Sequence, residues 1–260
     1  MDFRKVFNAI PEAFDQQRSR YCETLFRDLI ACAQLDSGKA ALEIGPGTGQ
    51  ATEPVLQTGC DYLAIELGAP FTAFMQKRFS SYSNFHIVNA DFETHDFAGQ
   101  TFDLVYSAAA MQWIPEAVGF GRTARLLRPG GVFAMLYTLT DQQSADEALY
   151  ADIDAAYRAF FRPAPEATYR CKLRYENVTR YGFAPLTRRE YPSERVLSAD
   201  EYIAWISTHA DHILLEEPGR TRFFTAIRQA IERHGGRITL RDTAVLLLTR
   251  KEENAHDGTD

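Results

Sequence analysis

Apolar positions along the chain change their spacing repeatedly, and each change predicts an element. Across residues 12–35, Phe14, Tyr21, Leu25, Phe26, Leu29 and Ile30 recur at helical intervals until Asp36-Ser37-Gly38 closes the stretch. Short, almost wholly apolar runs then alternate with helical segments. Ala40–Ile44 predicts a first strand, Gln50–Gln57 a helix ended by Gly59, and Tyr62–Ile65 a second strand. Pro70–Phe79 reads as a helix carrying Phe71, Phe74, Met75 and Phe79, and Phe85–Asn89 and Phe102–Tyr106 as strands three and four. Trp113–Leu127 is a helix stopped by Pro129-Gly130-Gly131, and Val132–Thr138 a fifth strand. Strands apolar on both faces, separated by helices, predict an α/β fold with a doubly wound, mostly parallel sheet covered on both sides.

After residue 140 the alternation stops. Ser144–Phe161 is helical, and residues 162–196 are rich in Arg, Tyr and Pro without a crossover unit. Ser198-Ala-Asp-Glu201 has the form of a capping box opening a helix through Trp205 and Ile206. A further helix runs from Pro218 to Gly235-Gly236, and Ile238–Thr249 is a long last strand. The organisation expected is an N-terminal helix and core over residues 1–139, a helical cap inserted over 140–200, a return to the core over 201–251, and a polar, disordered tail over 252–260.

Composition narrows the classes. With 260 residues, 45% hydrophobic and 24% charged, the chain has ample material for a soluble globular core. A net charge of −7 argues against a nucleic-acid partner, whose phosphates demand clustered cations. No apolar run approaches the roughly 18–20 residues of a membrane span, and the mixed-charge start, Met1-Asp-Phe-Arg-Lys5, lacks a secretory signal. Four cysteines without CxxC spacing (Cys22, Cys32, Cys60, Cys171) predict a reduced, cytoplasmic protein with no structural zinc. Charge is unevenly spread: residues 155–195 hold nine Lys/Arg against four Glu, a local +5 that leaves −12 for the rest.

Candidate chemistry begins in the turn after the first strand, Glu43-Ile-Gly45-Pro46-Gly47-Thr-Gly49-Gln50. Glycines there let backbone and ligand approach closely. The dinucleotide pattern GxGxxG needs glycine where Gln50 stands, which disfavours an NAD(P)-dependent dehydrogenase. Glu43 would repel a pyrophosphate but suits a ligand bearing an amino or sulfonium charge. Glu66 ends the second strand, where a carboxylate can accept both hydroxyls of a ribose. Asp91 and Phe92 follow the third strand, offering a carboxylate to an exocyclic amine and a ring to an adenine face.

Together these pieces resemble the class I S-adenosylmethionine-dependent methyltransferases, in the small-molecule branch that includes trans-aconitate methyltransferases. The resemblance rests on Leu42-Glu-Ile-Gly-Pro-Gly-Thr-Gly49, Glu66, Asn89-Ala-Asp91, Phe102-Asp-Leu-Val-Tyr-Ser107, Met111-Gln-Trp113 and Leu126-Leu-Arg-Pro-Gly-Gly131. It implies S-adenosyl-L-methionine as cofactor, with Gly45, Pro46, Gly47 and Gly49 around its methionine, Glu66 and Leu67 at the ribose, and Asp91 with Phe92 at adenine. Ser107 and Ala108 would face the sulfonium, and Arg20 would meet the methionine carboxylate. It further implies a Rossmann-like, seven-stranded sheet with an antiparallel last strand. Met111, Gln112 and Trp113 are candidates for the acceptor pocket, and His209 for a general base. The Asn/Asp-Pro-Pro-aromatic box of nucleic-acid amine methyltransferases is replaced by Ser107-Ala-Ala-Ala-Met-Gln-Trp113. His209 and His212 stand at metal-ligand spacing, yet with no third ligand evident no metal is expected. The acceptor expected is a small molecule, with Arg158, Arg162, Arg170, Arg174 and Arg180 as clamps should it be an anion. A chain that binds the cofactor without turnover and acts through protein partners is the non-enzymatic alternative.

Overall fold

The computed structural model describes residues 3–141, 146–162, 171 and 173–253. The expected tail beyond residue 253, and Arg170 among the clamps, lie outside them. A 3-10 turn, Phe3–Ala9, leads into α1 (Pro11–Gln17) and α2 (Glu23–Ala33). The single helix expected over 12–35 is therefore two. Arg18 and Cys22 both take extended backbone angles, which ends one helix and caps the next, while α2 stops at Gln34 in the left-handed region.

From there the strand–helix alternation follows the sequence closely. It runs β1 (Ala40–Ile44), α3 (Glu53–Leu56), β2 (Asp61–Glu66), α4 (Ala69–Arg78), β3 (Phe85–Asn89), β4 (Phe102–Ala108), α5 (Glu116–Leu126) and β5 (Leu127–Asp141). The helix expected from Gln50 is shortened to α3, because positive φ at Gly45, Gly47 and Gly49 extends the preceding turn. Then come α6 (Glu147–Phe160), a 3-10 turn over Tyr175–Tyr181, and β6 (Thr187–Ser198). The chain continues through α7 (Ala199–Ile206), α8 (Ala210–Ile213), α9 (Gly219–Arg233) and β7 (Arg237–Arg250). The strand order is β3-β2-β1-β4-β5-β7-β6, and the pairings of β1 with β2 and β4, β2 with β3, and β4 with β5 are parallel. This is the doubly wound, seven-stranded, Rossmann-like sheet expected from the sequence. β6 is an addition to the sequence reading, which saw only an irregular arginine-rich stretch there.

Contacts divide the described chain into two compact units. Of the described residues, one unit holds 19–137, 171, 173–191 and 245–253, with a core of Leu42, Ile44, Val105, Phe120, Phe133 and their neighbours. The other holds 3–18, 138–141, 146–162 and 192–244, cored by Leu149, Ile153, Tyr202, Phe223, Ile227 and Leu240. Strands β5, β6 and β7 are each divided between units, and the insertion expected over 140–200 falls partly in each.

Candidate functional site

Strands β1, β2 and β4 are tied together by one buried carboxylate. Glu43 and Tyr106 are register partners across β1 and β4, so their side chains stand on the same face. Glu43 is fully buried. Its Oε2 accepts hydrogen bonds from Thr52 Oγ1 at 2.6 Å, from Tyr106 OH at 3.0 Å and, closer still, from Tyr62 OH. Tyr106 OH also reaches the Ala51 carbonyl at 3.3 Å. The other oxygen, Oε1, is buried with no partner. Burial pushes this carboxyl upward while the three hydroxyls oppose the shift.

The glycine-rich turn is shaped by its own chain first. Gly45, Gly47 and Gly49 have φ of 65°, 59° and 88°, where side chains are strained. A Cβ on Gly45 would lie 2.5 Å from the Ala110 Cβ, and one on Gly49 would lie 2.7 Å from the Phe79 ring. Pro46 is buried between them. Gly47 N–H donates to Glu66 Oε2 at 3.1 Å and Gly68 N–H to Glu66 Oε1 at 2.7 Å, so this second carboxylate is held between the turn and the start of α4. Leu67, half-buried, lies between those two anchors. Burial raises the Glu66 carboxyl to about 7 against the pull of the Gly68 and Gly47 amides, and the nearby Glu43 charge adds to the rise.

The other expected residues divide into those the geometry keeps available and those it does not. Asp91, half-buried, uses Oδ1 to accept from Glu93 N–H at 2.9 Å in a tight turn after β3. Phe92 was expected to present its ring to a base. It is instead a core side chain, 4% exposed, packed edge-on to Phe97 with the Arg122 guanidinium over its ring. Met111, expected in a pocket wall, is likewise core, packed so closely that a Cβ on Gly119 would sit 2.8 Å from its sulfur. Gln112 and Trp113 are half-buried, and the Gln112 carbonyl accepts from Cys171 N–H at 3.0 Å. Ser107 is buried and its Oγ donates to the Ile44 carbonyl at 3.1 Å, while Ala108 is half-buried. Arg20 is exposed in the extended link between α1 and α2.

His209 belongs to the other unit, capping α8 with its ring edge-on to Trp205. Asp211, which the sequence reading passed over, brings a third group: ligand atoms of His209, Asp211 and His212 lie within 4.8 Å of one another. Both His212 nitrogens are engaged, Nδ1 with Asp211 Oδ1 at 2.7 Å and Nε2 with Tyr157 OH at 2.9 Å. Of the arginines, Arg158 pairs with Asp154 and Arg162 donates to the Arg158 and Phe161 carbonyls at the end of α6. Arg174 and Arg180 are exposed in the segment beside α5, where Asn177 binds Glu116. The sequence reading missed Thr52, Tyr62 and Tyr106. The signal was present: a Glu and two Tyr inside apolar strands need partners, and each can supply the other's.

Known proteins bear on this arrangement. Residues 42–135 match the family model described as a methyltransferase domain. A malonyl-[acyl-carrier protein] O-methyltransferase of Marinomonas sp. strain MWYL1 is 31% identical over 138 residues, 51% of this chain and 50% of that protein. A ribosomal RNA small subunit methyltransferase A of Thermosynechococcus vestitus is 29% identical over 139 residues, 53% and 51% of the two chains. The match thus spans about half the length of these curated relatives. Among solved structures, phosphoethanolamine N-methyltransferase 2 of Haemonchus contortus, in complex with phosphomonomethylethanolamine and S-adenosylhomocysteine, superposes with a TM-score of 0.55 at 14% identity, over 97% of this chain and 60% of that one. The stretch that matches the methyltransferase-domain model, residues 42–135, contains the glycine turn, Glu43, Glu66 and Asp91.

Proposed function

We propose that the protein transfers a methyl group from S-adenosylmethionine to a small-molecule acceptor. The observation that carries the cofactor half is the pair of buried carboxylates at adjacent strand ends, one with an unpartnered oxygen and one clasped by the glycine turn. Buried anions without counter-ions are costly, and a ligand offering an ammonium and a ribose diol relieves both. When bound, the cofactor supplies a methyl made electrophilic by its sulfonium, so catalysis reduces to alignment and exclusion of water.

Glu43 would take the ammonium, Glu66 the ribose hydroxyls, and Asp91 the adenine amine. The half-buried turn residues Gly45 and Gly47, with Ala108, would line the remainder. Arg20 is assigned to the cofactor carboxylate and His209 to proton removal from a hydroxyl acceptor; a carboxylate acceptor would need no base. Gln112 and Trp113 would contact the acceptor. Cys22, Cys32 and Cys60 as free thiols suit the reducing cytoplasm as its location, and no described helix is long and apolar enough to cross a membrane.

Isothermal titration with S-adenosylhomocysteine tests the cofactor half, and a panel of carboxylate, phenol and amine acceptors tests turnover. Binding of a nicotinamide dinucleotide in place of S-adenosylhomocysteine would overturn the reading. Binding without turnover of any acceptor would favour the non-catalytic alternative.

A further inference from the structure

Glu43 is the most completely buried anion of the cofactor-side unit, and the way it is held is asymmetric. Its Oε2 takes three hydroxyls from three chain segments: Thr52 after the glycine turn, Tyr62 on β2 and Tyr106 on β4. Tyr62 and Tyr106 are themselves fully buried with their hydroxyls 3.0 Å apart, so neither phenol has solvent as an alternative. A carboxylate has about four acceptor directions, two on each oxygen. Here the donors crowd one oxygen and leave Oε1 buried with none. Burial and these three hydroxyls are the influences on its charge, with no cation among them. Such an oxygen is stabilised by an added donor, most strongly by a cationic one.

We propose that Thr52, Tyr62 and Tyr106 are positioning residues that hold Glu43 by one carboxylate oxygen and reserve the other for the ammonium at the cofactor's amino-acid end. This rests on the proposed function and adds three residues to it. Thr52 matters most, since it lies on the segment that continues from the glycine turn; its bond to Glu43 couples the turn to β1. Tyr106 extends that coupling through the Ala51 carbonyl. Tyr62 is braced by stacking on Phe85, with ring centroids 5.9 Å apart, so a phenylalanine in its place keeps the packing.

The test is a comparison of two ligands on five proteins. S-adenosylhomocysteine carries the ammonium; 5′-methylthioadenosine is the same nucleoside thioether without the amino-acid end. Both are titrated calorimetrically against the parent, T52V, T52S, Y62F and Y106F, with Tm recorded for each. T52V and Y106F should each weaken S-adenosylhomocysteine by about tenfold, the weight of one charge-assisted hydrogen bond, and leave 5′-methylthioadenosine within about twofold. T52S should restore the parent value, because it returns the hydroxyl. Equal losses for both ligands would make the hub purely structural and overturn the proposal, as would unchanged affinity in T52V and Y106F together. Should T52V fail to fold, Y62F and Y106F carry the same comparison. A parent that binds neither ligand sinks the proposed function itself, which is a different result from a parent that binds both with no selectivity in the variants.

Discussion

Ala109, immediately after β4, has φ of +55°, a left-handed conformation that costs an alanine about 1–2 kcal/mol. Its N–H donates to the Leu136 carbonyl at 2.8 Å, and its neighbour Ala110 touches the glycine turn at Gly45, so the strain is maintained by the packing around it. Ala109→Gly should therefore gain about 0.5–1 kcal/mol in urea unfolding, the relief of strain outweighing the entropy glycine adds to the unfolded chain. A destabilised variant would contradict this. Glu66 gives a second residue-level expectation. Its folded pKa of about 7 lies above the ordinary 4.5, so the fold binds a proton the unfolded chain has released between those values. The resulting stability is full below about pH 4.5 and is lost as pH rises through 7. A ligand accepted by the carboxylate has the opposite preference, and S-adenosylhomocysteine affinity should fall as pH drops from 8 to 6. Glu66→Gln should flatten the Glu66 part of both pH dependences in parallel thermal-melt and titration series. Unaltered profiles would remove Glu66 from the site. At this scale the sequence displayed Gly45–Gly49, Glu66 and Asp91, because strand ends and glycine spacing mark them. It did not separate a ligand-facing aromatic from a core one: Phe92 and Met111 differ from pocket residues only by what packs over them.

Among the elements, β1, β3 and the first residue of β4 fall where the apolar runs place them. β6 escaped because Thr187–Ser198 lies at the end of the strand order, and an edge strand needs little apolar patterning. Its arginines, glutamates and Pro192 read as loop when taken alone, and only pairing within the sheet makes them a strand. The break between α1 and α2 was hidden for a related reason. Apolar spacing continues through residues 18–22 although the backbone does not. The start of α7, by contrast, was readable residue by residue. Ser198 Oγ accepts from Glu201 N–H at 3.3 Å while the Glu201 carboxylate accepts from Ser198 N–H at 2.7 Å. Ser198→Ala removes one arm of this box and should cost about 1 kcal/mol in chemical denaturation. Ser198→Thr should cost less, and equal losses would mean the hydroxyl is not the stabilising group.

For the whole molecule, charge is the property most open to test. The chain carries −7 overall, yet residues 155–195 are net +5. Four of its nine cations are already committed: Arg158 to Asp154, Arg188 to Glu190, Arg189 to Asp28 and Arg195 to Asp242. Such pairs on the surface stabilise little, but they do cancel the field an incoming anion would feel. The expectation of an anionic acceptor therefore contracts onto Arg174 and Arg180. Both belong to the same unit as the glycine turn, in a segment anchored by Cys171 N–H on the Gln112 carbonyl, by Asn177 on Glu116 and by Tyr175 stacked on Tyr137 at 5.4 Å. Against the upward push of burial, the Arg174 N–H, Asn177 and Tyr181 hold the Glu116 carboxyl below its usual range, and the Arg180 charge adds to them. An acidic surface repels anions at long range, so capture would depend on these local cations and weaken with salt over a Debye length of about 8–10 Å. With a carboxylate acceptor, Arg174→Ala combined with Arg180→Ala should raise KM by about tenfold, equivalent to about 1.4 kcal/mol, with little change in cofactor affinity. Raising ionic strength should reproduce part of that loss in the parent and almost none in the double variant. If the double variant keeps the parent's KM and salt response, both arginines are solvated surface. The acceptor would then have to be recognised by Gln112 and Trp113.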